Sequence, residues 1–126
     1  MKHFTREEYP EGIFVYGANL AGRHGKGAAL EAKLLWGAKE GSWNKNGNSL
    51  GIPTKDKTLR SLPLKTIRHL VKCFIIYAEL HPDKIFLVTP IGTGLAGYKL
   101  KDIAPIFKNA PRNCILAWDE GDLKQE

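Results

Sequence analysis

The sequence of 126 residues has only two cysteines and no long hydrophobic run. Neither Cys73 nor Cys114 has another cysteine or a histidine at metal-ligand spacing, so we expect two small buried thiols, no disulfide and no metal site. No stretch approaches the roughly 18 apolar residues of a membrane span. No basic and then apolar leader begins the chain. We therefore expect a cytoplasmic protein with no membrane partner.

Length and composition predict a single domain. A chain of 126 residues has room for one core, and 43% hydrophobic with 25% charged residues is typical of globular proteins. No internal repeat or low-complexity segment interrupts it. We predict one domain over residues 1–126, in which the polar residues 119–126 form a flexible tail. The sequence leaves the oligomeric state open.

The chain has little negative charge relative to positive charge, and its net charge of +6 suits an anionic ligand without identifying it. The basic residues are dispersed, as is typical of solvated helix faces. Aromatic residues do not interleave with them, although a platform for single-stranded nucleic acid requires this. A nucleic-acid-binding module is therefore favoured by charge but not by pattern, and we keep it as an alternative.

Apolar runs alternate with segments of helical periodicity. The predicted strands are residues 13–16, 49–54, 84–89 and 113–118. The predicted helices are residues 27–36, 64–80 and 100–108. Trp36 and Trp43 fit core and loop packing better than a base-stacking role. This order predicts an α/β fold of three layers, α/β/α, with a central sheet that is mostly parallel or mixed.

Three glycines follow the apolar residues 85–88, in the sequence Pro-Ile-Gly-Thr-Gly-Leu-Ala-Gly-Tyr. We call residues 90–98 the second glycine loop. Ligands of open α/β sheets bind beyond the carboxyl ends of strands, and glycines there let backbone N–H groups approach an anion. A tight turn that needs positive φ is the simpler explanation of these glycines. The pattern is also a poor dinucleotide fingerprint, because it lies late in the chain.

A companion segment, Gly-Ala-Asn-Leu-Ala-Gly-Arg-His-Gly-Lys-Gly, follows the apolar residues 13–16 and opens a predicted helix. We call residues 17–27 the first glycine loop. The N–H groups at a helix N-terminus carry partial positive charge. If the two strands are parallel neighbours, both loops lie at one edge of the sheet. Two anion-binding loops facing one cleft suit a diphosphate better than a single phosphate.

Four polar residues allow both a functional and a structural interpretation. His24 is either a general acid or base aimed into the cleft or an exposed loop histidine. Lys55 follows the predicted strand 49–54. As a nucleophile it would need a lowered pKa, whereas as a phosphate-binding ammonium it needs no special surroundings, and we favour the latter role. Asp56 is the nearest carboxylate, but as a turn residue it fits a structural role better. Asn19 is either a ligand contact or a structural residue that caps the first helix or supports a turn.

The order of these motifs resembles the macrodomain family. Gly-Ala-Asn, the first glycine loop, an alanine-rich helix, Leu-Trp-Gly-Ala, a strand ending Ile-Pro-Thr-Lys, a long amphipathic helix and Ile-Gly-Thr-Gly-Leu-Ala-Gly follow one another over residues 13–118. The chain looks closest to the branch that includes terminal ADP-ribose-protein glycohydrolase and ADP-ribose-1″-phosphate phosphatase. It also resembles small macro-like proteins of bacteria and their phages.

The resemblance implies a cleft for ADP-ribose or a related ADP-ribosyl compound, without a cofactor. It implies that the second glycine loop holds the diphosphate, that Asn19 lies beside the distal ribose, and that Tyr98 covers the sugar. Lys55 matches the nucleophile of the glycohydrolase branch. The implied ligand-binding residues are Asn19, Gly22, Gly25, Gly27, Ile91, Gly92, Thr93, Gly94, Leu95, Ala96, Gly97 and Tyr98.

Two positions depart from the hydrolytic members of the family. Ala96 stands where the glycohydrolase branch has the acidic partner of its lysine, and Lys26 and Gly27 stand where other hydrolytic macrodomains have an aspartate. We therefore predict ADP-ribose binding with at most weak hydrolysis. The alternatives are an active hydrolase of ADP-ribosyl bonds or of ADP-ribose-1″-phosphate, using His24, Lys55 or Asp56, and a nucleic-acid-binding module. Whether the chain is an enzyme stays open.

Overall fold

A computed structural model describes residues 1–125. The four strands of its sheet are β1 (Ile13–Asn19), β2 (Ser49–Lys55), β3 (Phe86–Val88) and β4 (Cys114–Leu116). They lie in the order β2-β1-β3-β4, and every neighbouring pair is parallel. The α/β prediction is confirmed, and the sheet is parallel rather than mixed.

The helices are α1 (Gly27–Leu35), α2 (Leu64–Glu79), α3 (Leu100–Ile103), a 3₁₀ helix (Ala104–Phe107) and α4 (Glu120–Lys124). The chain first steps from β1 to β2 on one side, and then crosses back to β3 and on to β4. Crossovers between parallel strands are right-handed, so this reversal places α1 on one face of the sheet and α2 with the 3₁₀ helix on the other. The contact between α2 and the 3₁₀ helix agrees with that placement.

Apolar side chains fill the space between the sheet and its helices. Trp36 is fully buried and stacks on Phe14, with ring centroids 5.0 Å apart, as expected for a core residue. Cys114 is buried, and burial raises the pKa of its thiol to about 11. The expectation that Cys73 is buried was wrong, because it lies on the exposed side of α2.

The helix predicted over residues 100–108 is broken into α3 and the 3₁₀ helix. Pro105 lacks the N–H that a continuing α-helix would use. Near the C-terminus the sequence analysis missed α4, where Asp119 accepts a hydrogen bond from the N–H of Asp122. Flexibility of residues 119–126 stays a prediction, and Glu126 lies outside the described residues. Within residues 1–125, no helix is both long and apolar enough to cross a membrane.

Asn113 fixes the end of α2 against the start of β4. Its Nδ2 lies 3.0 Å from the carbonyl oxygens of Ala78 and His81 and 3.1 Å from that of Lys84. The carbonyls of Ala78 and His81 also accept the backbone N–H groups of His81 and Lys84, so the Asn113 amide adds a further donor that links these turns to β4. One residue thus holds the α2–β3 connection in place.

We predict that Asn113→Ala lowers the free energy of unfolding by about 1–3 kcal/mol, because partly buried carbonyls lose a hydrogen-bond donor. Urea denaturation measures the change. The matched control is Asn109→Ala at an exposed position, which should change stability by no more than about 0.5 kcal/mol. Equal effects of the two substitutions would contradict the role given to Asn113.

Candidate functional site

Both glycine loops line one cleft at the carboxyl edge of the sheet. The first loop leaves β1 toward one face, whereas the second leaves its neighbour β3 toward the other face. Such a divergence is a topological switch point, where open α/β sheets bind their ligands. The cleft volume of about 700 Å³ lies within the range of roughly 300–1,000 Å³ that small-molecule sites occupy.

The second glycine loop supplies one wall of this cleft. The lining residues of the loop are Pro90, Ile91, Gly92, Thr93, Gly94, Leu95 and Ala96. Gly92 has a φ of +76°, a left-handed conformation that a side chain disfavours. Gly94 faces open space, because a Cβ added there would meet nothing within 4 Å. A ligand can therefore approach the backbone closely at Gly94.

The end of the second glycine loop shapes the wall from outside the cleft. Gly97 and Tyr98 do not line the cleft. The Tyr98 hydroxyl donates to the carbonyl of Leu62, and the Tyr98 N–H donates to the carbonyl of Gly92 over 2.9 Å. Covering or stacking near the sugar, the role expected for Tyr98, stays a prediction. Its bonds tie the loop to the segment before α2.

The first glycine loop supplies the facing wall. Arg23, Gly25, Lys26 and Gly27 line the cleft. Gly27, with a φ of +60°, starts α1, and no side chain caps that helix start. The first N–H groups of a helix have no partner within the helix, and they attract negative charge. This wall therefore presents both cationic side chains and helix N–H groups.

Asn19 lines the cleft and also holds the first glycine loop together. Its Oδ1 accepts from the Arg23 N–H, and its Nδ2 donates to the Arg23 carbonyl, each over 3.0 Å. Asn19 therefore does not cap α1 but supports the turn after β1, which is the other structural role expected for it. Because an amide has two hydrogens and two acceptor positions, one of each is still free for a ligand. Gly22 has a structural role instead, since a Cβ there would lie 2.4 Å from the Gly41 carbonyl carbon.

His24 lies behind the cleft wall. Its side chain is 1% exposed, and it does not line the cleft. Its Nε2 lies 3.0 Å from the hydroxyl oxygen of buried Tyr16. Neither placement expected for His24 holds, because the ring is not exposed and does not point into the cleft.

Asp56 anchors a turn outside the cleft. Its Oδ1 accepts hydrogen bonds from the N–H and hydroxyl of Thr58 and from the N–H of Arg60. The Thr58 hydroxyl and the Arg60 N–H hold the pKa of Asp56 below its ordinary value. A low pKa makes a carboxylate a weaker base. Asp56 therefore fits its structural interpretation.

Sequence reasoning missed Leu59, which this turn presents to the cleft. Leu59 is 46% exposed, and it is the one non-glycine residue with positive φ, +66°, within residues 1–125. Leucine adopts this left-handed conformation at a cost of roughly 1–2 kcal/mol. Nothing in the sequence around it indicates that conformation. Strained residues cluster at functional sites, so Leu59 is a candidate ligand contact.

Every charged side chain that lines the cleft is basic, within the described residues. These side chains are Arg23, Lys26 and Lys55. The remaining lining residues that the sequence analysis did not select are Gly17, Ala28, Ala29, Thr54 and Thr89. Residues 1–125 contain no group of three or more His, Cys, Asp or Glu that could hold a metal ion. The site can thus attract an anion but offers no carboxylate of its own.

Comparison with solved structures shows the macrodomain fold. The macrodomain of Mycobacterium tuberculosis DarG matches with a TM-score of 0.62 and 18% identity, over 84% of this chain and 88% of that one. A protein of unknown function from Bacteroides thetaiotaomicron matches with a TM-score of 0.61 and 18% identity, over 92% of each chain. No protein-family model and no curated protein matches. The macrodomain fold that the resemblance implied is confirmed. The particular branch of the family is not confirmed.

We predict that Leu59→Asn leaves stability unchanged or raises it by up to about 1 kcal/mol, because asparagine adopts the left-handed conformation more readily than leucine. Thermal denaturation measures the change. Leu80→Asn is the matched control, since Leu80 is 72% exposed and has a φ of −79°. A greater loss of stability in Leu59→Asn than in the control would show that no strain is relieved.

Proposed function

We propose that the chain binds ADP-ribose, or a related ADP-ribosyl compound, in the cleft between its two glycine loops. The observation that carries this proposal is the convergence of both loops on one cleft whose charged residues are all basic. A diphosphate has two phosphate groups, so it can engage both walls at once. The macrodomain fold supports the proposal, because the family that the motifs resemble binds this class of ligand.

In this proposal the second glycine loop binds the diphosphate through backbone N–H groups. Glycine at position 92 allows the turn, and glycine at position 94 leaves space beside the backbone. Arg23 and Lys26 approach from the facing wall and offset the ligand's negative charge. Asn19, which also lines the cleft, binds the distal ribose, and Lys55 adds a third positive charge beside the diphosphate.

Gly94→Glu tests this arrangement by adding bulk and negative charge where the diphosphate would bind. In calorimetric titrations we expect wild-type protein to prefer ADP-ribose over AMP, because AMP lacks the second phosphate and the distal ribose. We expect Gly94→Glu to weaken ADP-ribose binding by at least about tenfold, which equals about 1.4 kcal/mol. Asn109→Glu is the control, because it adds the same charge at an exposed position that does not line the cleft.

Two results would contradict the proposed function. One is a folded Gly94→Glu protein that keeps the wild-type affinity. The other is a wild-type protein that does not bind ADP-ribose at moderate salt. Binding of single-stranded DNA in place of ADP-ribose would support the nucleic-acid alternative, since phosphate contacts account for most such affinity.

A hydrolytic function is the second candidate, because Lys55 lies in the cleft wall. A lysine nucleophile needs a base or a perturbing neighbour to lose its proton near neutral pH. Among the described residues, no aspartate, glutamate or histidine lines the cleft, and Ala96 occupies the position of the acidic partner that the resemblance implies. We therefore propose binding with slow or absent turnover.

Release of ADP-ribose from glutamate-modified protein, measured from about pH 5 to pH 9, tests this proposal across the range in which such acids and bases titrate. We expect little turnover by wild type or Lys55→Ala, and a gain in Ala96→Asp, which supplies a carboxylate at the cleft wall. His24→Ala should not change turnover, because His24 does not reach the cleft. Fast wild-type turnover that disappears in Lys55→Ala would contradict the proposal.

A further inference from the structure

The first glycine loop turns one side chain inward and its neighbours outward. His24 is 2% exposed, although Arg23 and Gly25 on either side of it line the cleft. A buried imidazole inside a glycine-rich loop restricts a segment that would otherwise be free to move. The contacts of His24 therefore determine where the cleft-lining residues lie.

Tyr16 on β1 makes the first of these contacts. Its ring is fully buried, and its hydroxyl oxygen lies 3.0 Å from Nε2 of His24. Burial raises the pKa of Tyr16 to about 12, so the phenol keeps its proton at neutral pH. The hydroxyl and Nε2 lie at hydrogen-bond distance, and the tautomer of the ring determines which of the two donates.

Glu40, in the connection between α1 and β2, makes the second contact. Its Oε1 accepts the backbone N–H of His24 over 3.2 Å and lies 3.4 Å from Nδ1. Nδ1 has no hydrogen-bond partner, so Glu40 holds His24 through its backbone N–H. The same oxygen accepts a hydrogen bond from Lys33 on α1 over 3.3 Å.

Glu40 carries negative charge at neutral pH. Partial burial would raise its pKa, but the hydrogen bond and charge of Lys33, with the His24 N–H, lower it below its ordinary value. Beside it, the Gly41 N–H donates to the carbonyl of Gly22 over 2.7 Å. The loop is thus joined to this segment by two hydrogen bonds, one from the His24 N–H to the Glu40 side chain and one between the backbones of Gly41 and Gly22.

We propose that Glu40, His24 and Tyr16 are positioning residues that hold the first glycine loop in its ligand-binding conformation. The effect on affinity rests on the function proposed above, because none of the three lines the cleft. Ordering a free backbone costs conformational entropy. A loop that is already ordered avoids that cost when the ligand binds.

Paired substitutions at Glu40 test the proposal. Glu40→Gln keeps an oxygen acceptor for the His24 N–H, whereas Glu40→Leu removes it. We expect Glu40→Leu to weaken ADP-ribose binding about tenfold, as for the loss of one or two hydrogen bonds, and Glu40→Gln to stay near wild type. Glu79→Leu at an exposed position of α2 is the matched control and should bind like wild type.

Amide hydrogen exchange gives a measurement that needs no ligand. In Glu40→Leu and Tyr16→Phe we expect faster exchange at His24 and its loop neighbours, without faster exchange in β1 or α2. If wild-type protein does not bind ADP-ribose, the proposed function fails, and exchange alone decides whether these residues hold the loop.

Three results would overturn the positioning role. The first is unchanged exchange in the loop of Glu40→Leu. The second is faster exchange throughout the protein with a matching loss of stability, since this would make Glu40 a general structural residue. The third is a Glu40→Gln protein as impaired as Glu40→Leu, because the charge and not the hydrogen-bond acceptor would then be required.

Discussion

The topological switch point between the parallel strands β1 and β3 is the constraint on which the site depends. The two strands are hydrogen-bonded neighbours, but the loops that follow them diverge to opposite faces of the sheet. The space between the diverging loops is the cleft. The backbones are close at its base, where a Cβ on Gly17 would lie 3.3 Å from the backbone nitrogen of Gly92. Glycine at position 17 therefore lets strand and loop approach closely enough to form one continuous wall.

The charged side chains of the cleft favour binding over hydrolysis. Arg23, Lys26 and Lys55 together can offset the two negative charges of a diphosphate, which favours retention of an anion. Hydrolysis needs in addition a group that can accept a proton, and no such side chain lines the cleft within residues 1–125. The nearby side chains that could accept a proton have structural roles instead. Asp56 anchors a turn through its Oδ1, and the His24 ring lies behind the wall.

Elements with strong local signals could be predicted from the sequence, whereas contacts between distant segments could not. α2 follows from its apolar stripe, and β1 was recognised by its buried run but extends three residues further, to Asn19. The glycine loops could be located because each group of glycines directly follows an apolar run in the sequence. The inward turn of His24 depends on Tyr16 and Glu40, and the latter lies 16 residues away, so no local pattern indicates it. The strain at Leu59 likewise depends on how the Asp56 turn closes.

The most direct test of the central claim is a titration of ¹⁵N-labelled protein with ADP-ribose, followed by amide chemical shifts. If the two glycine loops form one diphosphate site, the amides of Gly25, Gly27, Gly92 and Gly94 shift together and saturate with a single dissociation constant. Shifts confined to the exposed basic face of α2, around Lys65 and Lys72, or no shifts at all, would contradict the account.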